Sequence, residues 1–296
     1  MTDSSILQLK NRATQCAKYL LDSTSVLCIS HIDADGLTSA AIATQAIKRA
    51  NIPVTTAFSK RLGEPELQQL TKTDYDTILF TDFGSGQIEK IIQYGEKGNF
   101  TPIICDHHQP SITPSDSPPF ELNSDFHLNP LLFGINGASE LSGAGACYFL
   151  ARALESGKVD NRDLAALAIV GAVGDMQARE EGLIGPNKNI AQEGAEKGVL
   201  NIKTDLSFYG KQTRPLPKLL EYSSEFGIPG ISNDSSGAIR FLKNLNIELR
   251  GNGKWKTWVE LSHSDQKTIL SSLVTYSISR GLSPEKINSF IAPVYE

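Results

Sequence analysis

The sequence has few cysteines, few aromatic residues and no long hydrophobic run, and each shortage narrows the class of protein. No apolar stretch approaches the roughly 18 residues that a membrane-spanning helix needs. The N-terminal segment resembles a capped amphipathic helix rather than a targeting peptide. No two cysteines have the close spacing of a zinc-binding pair, so we expect reduced core thiols in a cytoplasmic protein without a membrane partner. The four cysteines are Cys16, Cys28, Cys105 and Cys147.

The sequence also has fewer basic than acidic residues. It contains 28 lysines and arginines and 33 aspartates and glutamates, which gives a net charge of −5. A protein that wraps duplex DNA non-specifically is usually basic, so the composition disfavours that class but leaves room for a local basic groove. An acidic excess also fits a protein that concentrates carboxylates around cations. The 296 residues are enough for one large domain or two smaller ones.

Short apolar runs alternate with helical segments in the first half of the chain. Buried strands separated by helices predict βαβ units and a parallel sheet. The predicted strands are 25–30, 53–58, 77–80 and 102–105, and the predicted helices between them are 36–50, 64–70 and 87–94.

This alternation fades after about residue 185, where glycines become more frequent. The fold class that we predict is therefore α/β, with a mostly parallel sheet flanked by helices over 1–195 and a smaller C-terminal α+β extension over 196–296. The stretch 111–119 is rich in Ser, Thr, Pro and Asp and is a predicted loop. Further predicted elements are a short strand at 126–129 and helices at 142–154, 163–173 and 262–279.

Four segments that carry aspartate or histidine lie where a predicted strand or a buried helix ends. In an open parallel sheet the ligand site lies outside the carboxyl ends of the strands, so three of the four reach one edge by topology. Each segment alone is a weak signal, because an Asp-Gly after a strand is usually a turn. Their order and position together indicate a functional site. The segments are His31-Ile32-Asp33-Ala34-Asp35, Thr81-Asp82, Asp106-His107-His108 and Gly174-Asp175.

The residue types narrow the chemistry of this site. Carboxylates mixed with imidazoles suit Mn, Fe, Co or Zn, whereas a pure oxygen cage suits Mg or Ca. Such donors around two ions about 3.5–4 Å apart are typical of phosphoester hydrolysis. In an extended segment, side chains at 31, 33 and 35 point to one side, so one stretch can serve both ions. The residues predicted to form this two-metal site are His31, Asp33, Asp35, Asp82, His107 and Asp175.

These motifs resemble those of the DHH phosphoesterase superfamily over about residues 25–180. SHIDADGLTSA is similar to its first motif, TDFG to its second, DHHQP to the third, which names the family, and GAVGDMQ to its fourth. TDFG also occurs in protein kinases, but no kinase glycine-rich or catalytic loop accompanies it. The later stretch YGKQTRPLPKLLEYSSEFGIPGI is similar to archaeal relatives of the RecJ exonucleases. Those relatives cut single strands, and some bind the replication factor GINS.

The resemblance implies a role for each residue. Two Mn²⁺ ions are the implied cofactors, with Mg²⁺ or Co²⁺ as substitutes. The implied ligands are His31 and Asp33 for one ion, Asp35, His107 and Asp175 for the other, and Asp82 as the bridge between them.

Two further residues form a second layer in this resemblance. Asp106 would orient His107, a common carboxylate–histidine arrangement. His108 would face the scissile phosphate as a hydrogen-bond donor or general acid, and a purely structural hydrogen bond is the alternative for it.

Substrate contacts are harder to assign. Basic side chains after the fourth motif suit a phosphate backbone, although a solvated proline-rich loop explains them equally well. The nearest aromatic residues for base stacking are Phe208, Tyr209 and Tyr222. Nothing after residue 205 resembles the glycine-rich motif of the second domain that family nucleases usually carry, and Gly251-Asn252-Gly253 reads as a hairpin turn. The candidate substrate-binding residues are Arg179, Lys188, Lys211, Arg214 and Lys218.

The leading hypothesis is a single-strand-specific exonuclease for DNA or RNA that acts in replication or repair. One alternative is a phosphodiesterase for short oligonucleotides, cyclic dinucleotides or pAp. Another is a replisome scaffold that binds GINS and retains residual nuclease activity. The intact ligand set argues against a pure scaffold. Pyrophosphatase activity ranks lower, because that branch has a longer spacing than HIDAD between its first histidine and the following Asp pair.

Overall fold

The computed structural model describes residues 3–111, 125–178 and 181–296. The chain divides into two compact units, the first formed by Met1–Ile202 with Tyr295–Glu296 and the second by Lys203–Val294. The domain limits expected from sequence, 1–195 and 196–296, stay a prediction. The predicted loop at 111–119 lies outside the described residues apart from Ser111.

A five-stranded sheet forms the centre of the first unit, with the strand order β2-β1-β3-β4-β5. Every neighbouring pair is parallel, as the alternation of strands and helices predicted. The central strands β1 and β3 are buried along their whole length, which explains why they are apolar throughout rather than alternating. The strands are β1 Val26–Ser30, β2 Val54–Phe58, β3 Thr77–Thr81, β4 Thr101–Cys105 and β5 His127–Leu128.

Helices cover both faces of this sheet. Val26 and Cys28 pack with α1, α2, α5 and α6 on one face, whereas Leu27 and Ile29 pack with α3 and α4 on the other. The result is the predicted α/β fold in three layers. All four cysteines are buried and free, as expected for core thiols. The helices are α1 Asp3–Leu21, α2 Ala34–Arg49, α3 Glu64–Leu70, α4 Ile88–Gly98, α5 Gly143–Ala153, α6 Ala165–Gly174 and α7 Gly185–Lys197.

The strand order places a crevice at the carboxyl ends of β1 and β3. β1 and β3 are neighbours in the sheet, but β2 comes between them in the sequence and lies on the other side of β1. The direction in which successive strands are added therefore reverses between β1 and β3. Connections that leave neighbouring strands at such a switch point run to opposite faces and open a ligand-binding crevice. Asp82 directly follows β3, and Asp33 lies three residues after β1.

The second unit is smaller and has its own core. Phe208 stacks on Phe226 with ring centroids 4.4 Å apart, and Phe290 meets both rings edge-on at 5.6 and 5.4 Å. The predicted hairpin turn is confirmed, because β7 and β8 pair antiparallel around Asn252 and Gly253, both with positive φ. The elements are β6 Ile202–Leu206, α8 Leu216–Glu221, α9 Ser235–Lys243, β7 Arg250–Gly251, β8 Lys254–Trp255, α10 His263–Ser279, α11 Pro284–Asn288 and β9 Ile291–Tyr295.

No helix in the described part of the chain is both long and apolar enough to cross a membrane.

Candidate metal centre

The segment after β1 turns directly into a helix. Asp33 is the N-cap of α2, and its Oδ1 accepts a hydrogen bond from the Gly36 N–H at 2.9 Å. Its Oδ2 lies 2.7 Å from His31 Nδ1. Asp35 therefore lies in the first helical turn, and the expectation that residues 31–35 form one extended stretch is wrong. The helical turn places Asp35 in the interior, whereas Asp33 stays at the surface.

Asp35 is fixed by the N-terminus of α5. The backbone N–H groups of Gly143 and Ala144 donate to its two carboxylate oxygens at 2.7 and 2.9 Å. Unpaired N–H groups and the dipole at a helix N-terminus favour an anion there. Burial nevertheless raises the pKa of Asp35, against the opposing influence of His107 and the two N–H groups.

Asp82 is the buried centre of the cluster. Its φ of +60° is uncommon for a residue other than glycine. Its Oδ1 lies 3.3 Å from His107 Nε2 and its Oδ2 lies 3.8 Å from His31 Nδ1, yet neither oxygen has a hydrogen-bond partner of good geometry among the described residues. Burial, with a contribution from Asp35, raises the pKa of Asp82 to about 8 despite the opposing influence of His107. An unsatisfied buried carboxylate is costly, so this position is suited to a cation.

His107 is oriented by a backbone carbonyl. Its Nδ1 lies 2.7 Å from the Gly137 oxygen, which leaves Nε2 facing Asp82 and, at 3.5 Å, Asp35 Oδ2. A side chain at Gly137 would collide with the His107 carbonyl oxygen, so glycine is needed for this close approach. Because burial is outweighed by Asp82, Asp35 and the Gly137 carbonyl, the pKa of His107 is raised to about 10.

Asp106 holds His108 rather than the ring of His107. Its Oδ1 lies 2.8 Å from His108 Nδ1 and also accepts the backbone N–H of His107 at 2.7 Å. The expected orientation of the His107 ring by Asp106 is therefore corrected, because the Gly137 carbonyl occupies that place. Burial alone would raise the pKa of Asp106, but the hydrogen bond from His108 holds it well below its usual range.

Two buried amides extend the cluster on the side of Asp175. Gln177 Nε2 donates to Asp175 Oδ2 and to the Gly137 oxygen, both at 2.8 Å, and Asn187 Nδ2 donates to Gln177 Oε1 at 2.6 Å. Gln177 thus contacts one candidate ligand directly and shares with His107 the carbonyl that orients that ring. Gln177 lies in the fourth motif, but no pattern in that motif distinguishes it from its neighbours.

Glycines on two helices provide the space for the carboxylates. A Cβ at Gly143 would lie 2.7 Å from Asp82 Oδ1 and 3.0 Å from Asp35 Oδ2, and one at Gly171 would lie 2.5 Å from Asp35 Oδ1. Sequence reasoning missed both positions. The run of small residues SGAG at the start of α5 was the available signal for the first.

All six predicted metal ligands lie together in the structure. Donor atoms of each of two triads lie within 4.8 Å of one another, and Asp82 Oδ1 and His107 Nε2 connect the triads at 3.3 Å. A third group within this distance adds Asp106 and His108. The mixture of carboxylates and imidazoles fits a transition-metal cation. The two triads are His31, Asp33 and Asp82, and Asp35, His107 and Asp175.

The predicted substrate-binding residues belong to different units and differ in exposure. Lys188 is exposed on α7 of the first unit, Arg214 and Lys218 are partly exposed in the second, and Arg179 lies outside the described residues. Lys211 is buried, with Nζ 2.8 Å from Asp205 Oδ2, and Trp258 Nε1 donates to the other oxygen of that carboxylate at 3.0 Å. A buried, ion-paired ammonium does not face a phosphate, so the assignment of Lys211 to substrate binding is corrected to a structural role.

Replacing Lys211 by methionine is expected to destabilise the second unit by about 2 kcal/mol, because the largely buried Asp205 carboxylate loses its 2.8 Å ion pair and keeps only the more distant Lys203 Nζ, at 3.6 Å. Burial would raise the pKa of Asp205, but Lys211 and the Leu206 N–H lower it overall. A lowered carboxyl pKa stabilises the fold above the unfolded pKa, and this contribution is lost as the pH falls through the folded pKa. Urea unfolding should therefore show a lower free energy of unfolding for K211M than for wild type at pH 7, and this difference should become smaller in acid. K218M removes a more exposed ion pair and should change the free energy of unfolding little.

Two family models match the chain. The model described as the DHH family, N-terminal domain, matches residues 25–172, which is half of the chain, and the DHH-CID domain matches residues 208–291. The uncharacterized protein MJ0831 of Methanocaldococcus jannaschii is 34% identical over 249 residues, covering 83% of this chain and 52% of that protein. The chain thus spans about half the length of this curated relative.

Solved structures share the fold at low sequence identity. CDC45 from Entamoeba histolytica matches with a TM-score of 0.62 and 14% identity, covering 99% of this chain and 59% of that one. The exonuclease RecJ bound to manganese matches with a TM-score of 0.50 and 17% identity, covering 92% of this chain and 66% of that one. With donors from all four motifs in the two triads and the family model matching half of its residues, the chain belongs to the DHH family.

Proposed function

We propose that this protein is a Mn²⁺-dependent phosphodiesterase that degrades single-stranded DNA or RNA from an end, in replication or repair. The observation that carries the proposal is the buried Asp82 carboxylate, whose oxygens lack hydrogen-bond partners among the described residues while two ligand triads converge on it. Bound metal would supply an activated water and stabilise charge on the phosphoryl oxygens. RecJ, a structural neighbour, has been solved with manganese, and Mg²⁺ and Co²⁺ are alternatives.

The proposed division of ligands follows the two triads. His31 and Asp33 would hold one ion, Asp35, His107 and Asp175 would hold the other, and Asp82 would contact both. Contacts within the chain position these donors, because Asp33 caps a helix, Asp35 accepts two backbone N–H groups and His107 contacts a carbonyl. Such prior positioning lowers the cost of assembling the site.

His108 is the proposed donor to the scissile phosphate. Its Nδ1 is held by Asp106, and its side chain is 56% exposed, so Nε2 is the nitrogen left for a ligand. The hydrogen bond to Asp106 raises the pKa of His108, which favours the protonated ring that can donate from Nε2. Asp106 would then act through His108, as a positioning residue.

The assay that tests this function uses single-stranded DNA and RNA labelled at the 5′ or the 3′ end, with Mn²⁺ or with EDTA. We expect a product ladder from one end, in Mn²⁺ only, and slower attack on duplex. Hydrolysis of cyclic dinucleotides or pAp with intact long strands would support the small-substrate alternative instead. Hydrolysis that continues in EDTA would contradict the metal-dependent proposal.

A scaffold role is the second candidate, because CDC45 shares the fold over nearly the whole chain. Its proposed partner is GINS or another replisome protein. Tight capture of such a partner, together with full cellular function of a metal-ligand variant, would favour the scaffold. The complete donor set supports catalysis, since a pure scaffold has no need for a buried carboxylate without hydrogen-bond partners.

Replacing Gln177 by methionine should weaken Mn²⁺ binding about 10- to 100-fold, because a side chain of similar shape no longer donates to Asp175 or Gly137. A Mn²⁺ titration followed by electron paramagnetic resonance measures this without reference to activity. Q68M, on the exposed face of α3, is the matched control and should bind as wild type. Unchanged affinity in Q177M would show that the amide does not position the ligands.

A further inference from the structure

Two tyrosines of the second unit present their rings to solvent. Tyr209 is 77% exposed and Tyr222 is 50% exposed. Phe208, the third aromatic candidate from the sequence, is buried in the core against Phe226 and is unavailable to a ligand. Rings this exposed bury little apolar area, so core packing does not account for them.

Arg214 contacts both exposed rings. Its Cζ lies 5.0 Å from the ring centroid of Tyr209 and 5.1 Å from that of Tyr222, and Nη1 donates to the Tyr209 carbonyl oxygen at 3.1 Å. Lys218 Nζ lies 5.2 Å from the Tyr222 centroid. All three distances are in the range of cation–π contacts. Tyr209, Arg214, Lys218 and Tyr222 are called the tyrosine–arginine cluster below.

The backbone is shaped to hold this arrangement. Gly210 has a φ of +89°, and a Cβ there would lie 2.7 Å from Arg214 Cδ. The N–H groups of Thr213 and Arg214 donate to the Gly210 carbonyl at 3.1 and 2.8 Å, closing a turn that returns Arg214 to Tyr209. The positive φ favours glycine at this position, and a Cβ there would displace the Arg214 side chain.

Charge is distributed unevenly between the two parts of the sequence. Residues 203–294 contain twelve lysines and arginines against eight acidic residues, a net charge of +4. The rest of the chain contains sixteen lysines and arginines and twenty-five acidic residues, a net charge of −9. A polyanion is therefore attracted to the second unit rather than to the chain as a whole.

We infer that the tyrosine–arginine cluster binds single-stranded nucleic acid, with bases stacked on the tyrosine rings and phosphates held by Arg214. Lys218 contributes less, because its Nζ is already paired with Glu221 Oε2 at 2.7 Å. Stacking on aromatic side chains beside basic groups binds single strands with little sequence preference, and a duplex hides the faces of its bases. The inference rests on the proposed function for the class of ligand, but it does not require hydrolysis. Tyrosine and arginine are also common at protein interfaces, but the positive charge of this unit favours a polyanion.

The test measures binding of fluorescein-labelled oligo(dT) and oligo(U) to the full chain in EDTA by fluorescence anisotropy. Y209A and Y222A should each weaken binding roughly 10-fold, because each removes a stacking surface. Y209F should bind as wild type, since the ring and not the hydroxyl makes the contact. Y19A removes an exposed tyrosine of α1 in the first unit and should leave the affinity unchanged.

Salt dependence tests the phosphate contact separately. R214Q should reduce the slope of log affinity against log salt by about 0.7, the loss of one phosphate contact on a single strand. Wild-type affinity in both Y209A and Y222A would overturn the inference and leave the cluster to a protein partner. Loss of binding in these variants, with no hydrolysis by wild type in Mn²⁺, would keep the inference and overturn the proposed function. Hydrolysis by wild type, together with wild-type affinity in both variants, would support the proposed function and overturn the inference.

Discussion

Replacing Asp82 by asparagine should lower Mn²⁺-dependent hydrolysis by roughly 10³-fold or more, because the proposed bridge to both ions loses its charge while much of the catalysis is electrostatic. Asparagine keeps the shape of the side chain. It also tolerates the φ of +60° found at this position, so the backbone should not change. Steady-state hydrolysis of single-stranded DNA at saturating Mn²⁺ measures the effect.

The same variant should be more stable than wild type when no metal is present, by about 1–2 kcal/mol at pH 8. Burial raises the pKa of Asp82 to about 8, so the folded metal-free wild type loses stability as the pH rises from the unfolded carboxyl pKa toward that value. The neutral amide of D82N does not titrate, so this contribution to the pH dependence of stability should disappear. Denaturant unfolding of both proteins in EDTA at several pH values measures the difference. Full activity in D82N, or lower stability without metal, would contradict the role given to Asp82.

Replacing Gly143 by alanine should also disable the site, although alanine ordinarily favours a helix by about 1 kcal/mol. The added Cβ would lie 2.7 Å from Asp82 Oδ1 and 3.0 Å from Asp35 Oδ2, so both carboxylates must move. Displacement of reacting groups by about 1 Å can cost 10²-fold, and we expect a loss of activity of that order or greater. Mn²⁺ affinity should fall in parallel.

Gly86 provides the control for this substitution. It lies in the short 3₁₀-helix Ser85–Gln87 that follows the Asp82 segment, and an alanine Cβ there would come no closer than 4.0 Å to the Gln109 carbonyl oxygen. G86A should therefore keep wild-type activity and Mn²⁺ affinity. Wild-type Mn²⁺ affinity in G143A would mean that the carboxylates relax around the new methyl group at no cost, and would contradict the tight packing of Gly143 against Asp82 and Asp35.

The fold was largely predictable because its elements obey local rules. The predicted runs 25–30, 77–80 and 102–105 became parallel strands, and α3 was found at the predicted residues 64–70. Topology then placed Asp82 and Asp106 at one edge, since the carboxyl ends of parallel strands meet there. This part of the site follows from patterns within short stretches of sequence.

The remaining features depend on contacts between distant segments. The Gly143 N–H meets Asp35 across 108 residues of sequence, and Gln177 reaches Gly137 across 40. No local pattern distinguishes these residues from other small or polar ones. Lys211 was misassigned because a lysine in a basic segment is usually exposed. Its partner Asp205 is near in sequence, but Trp258, which donates to the same carboxylate and to the Lys211 carbonyl, comes from a distant segment.

A two-ion site joined by Asp82 fixes the number of Mn²⁺ ions that each chain should bind. Equilibrium dialysis followed by metal analysis and electron paramagnetic resonance should find two ions in wild type, with spectra of a spin-coupled pair. D82N should bind fewer ions and lose the coupling. No specific Mn²⁺ in wild type, or two coupled ions in D82N, would contradict a two-ion site bridged by Asp82.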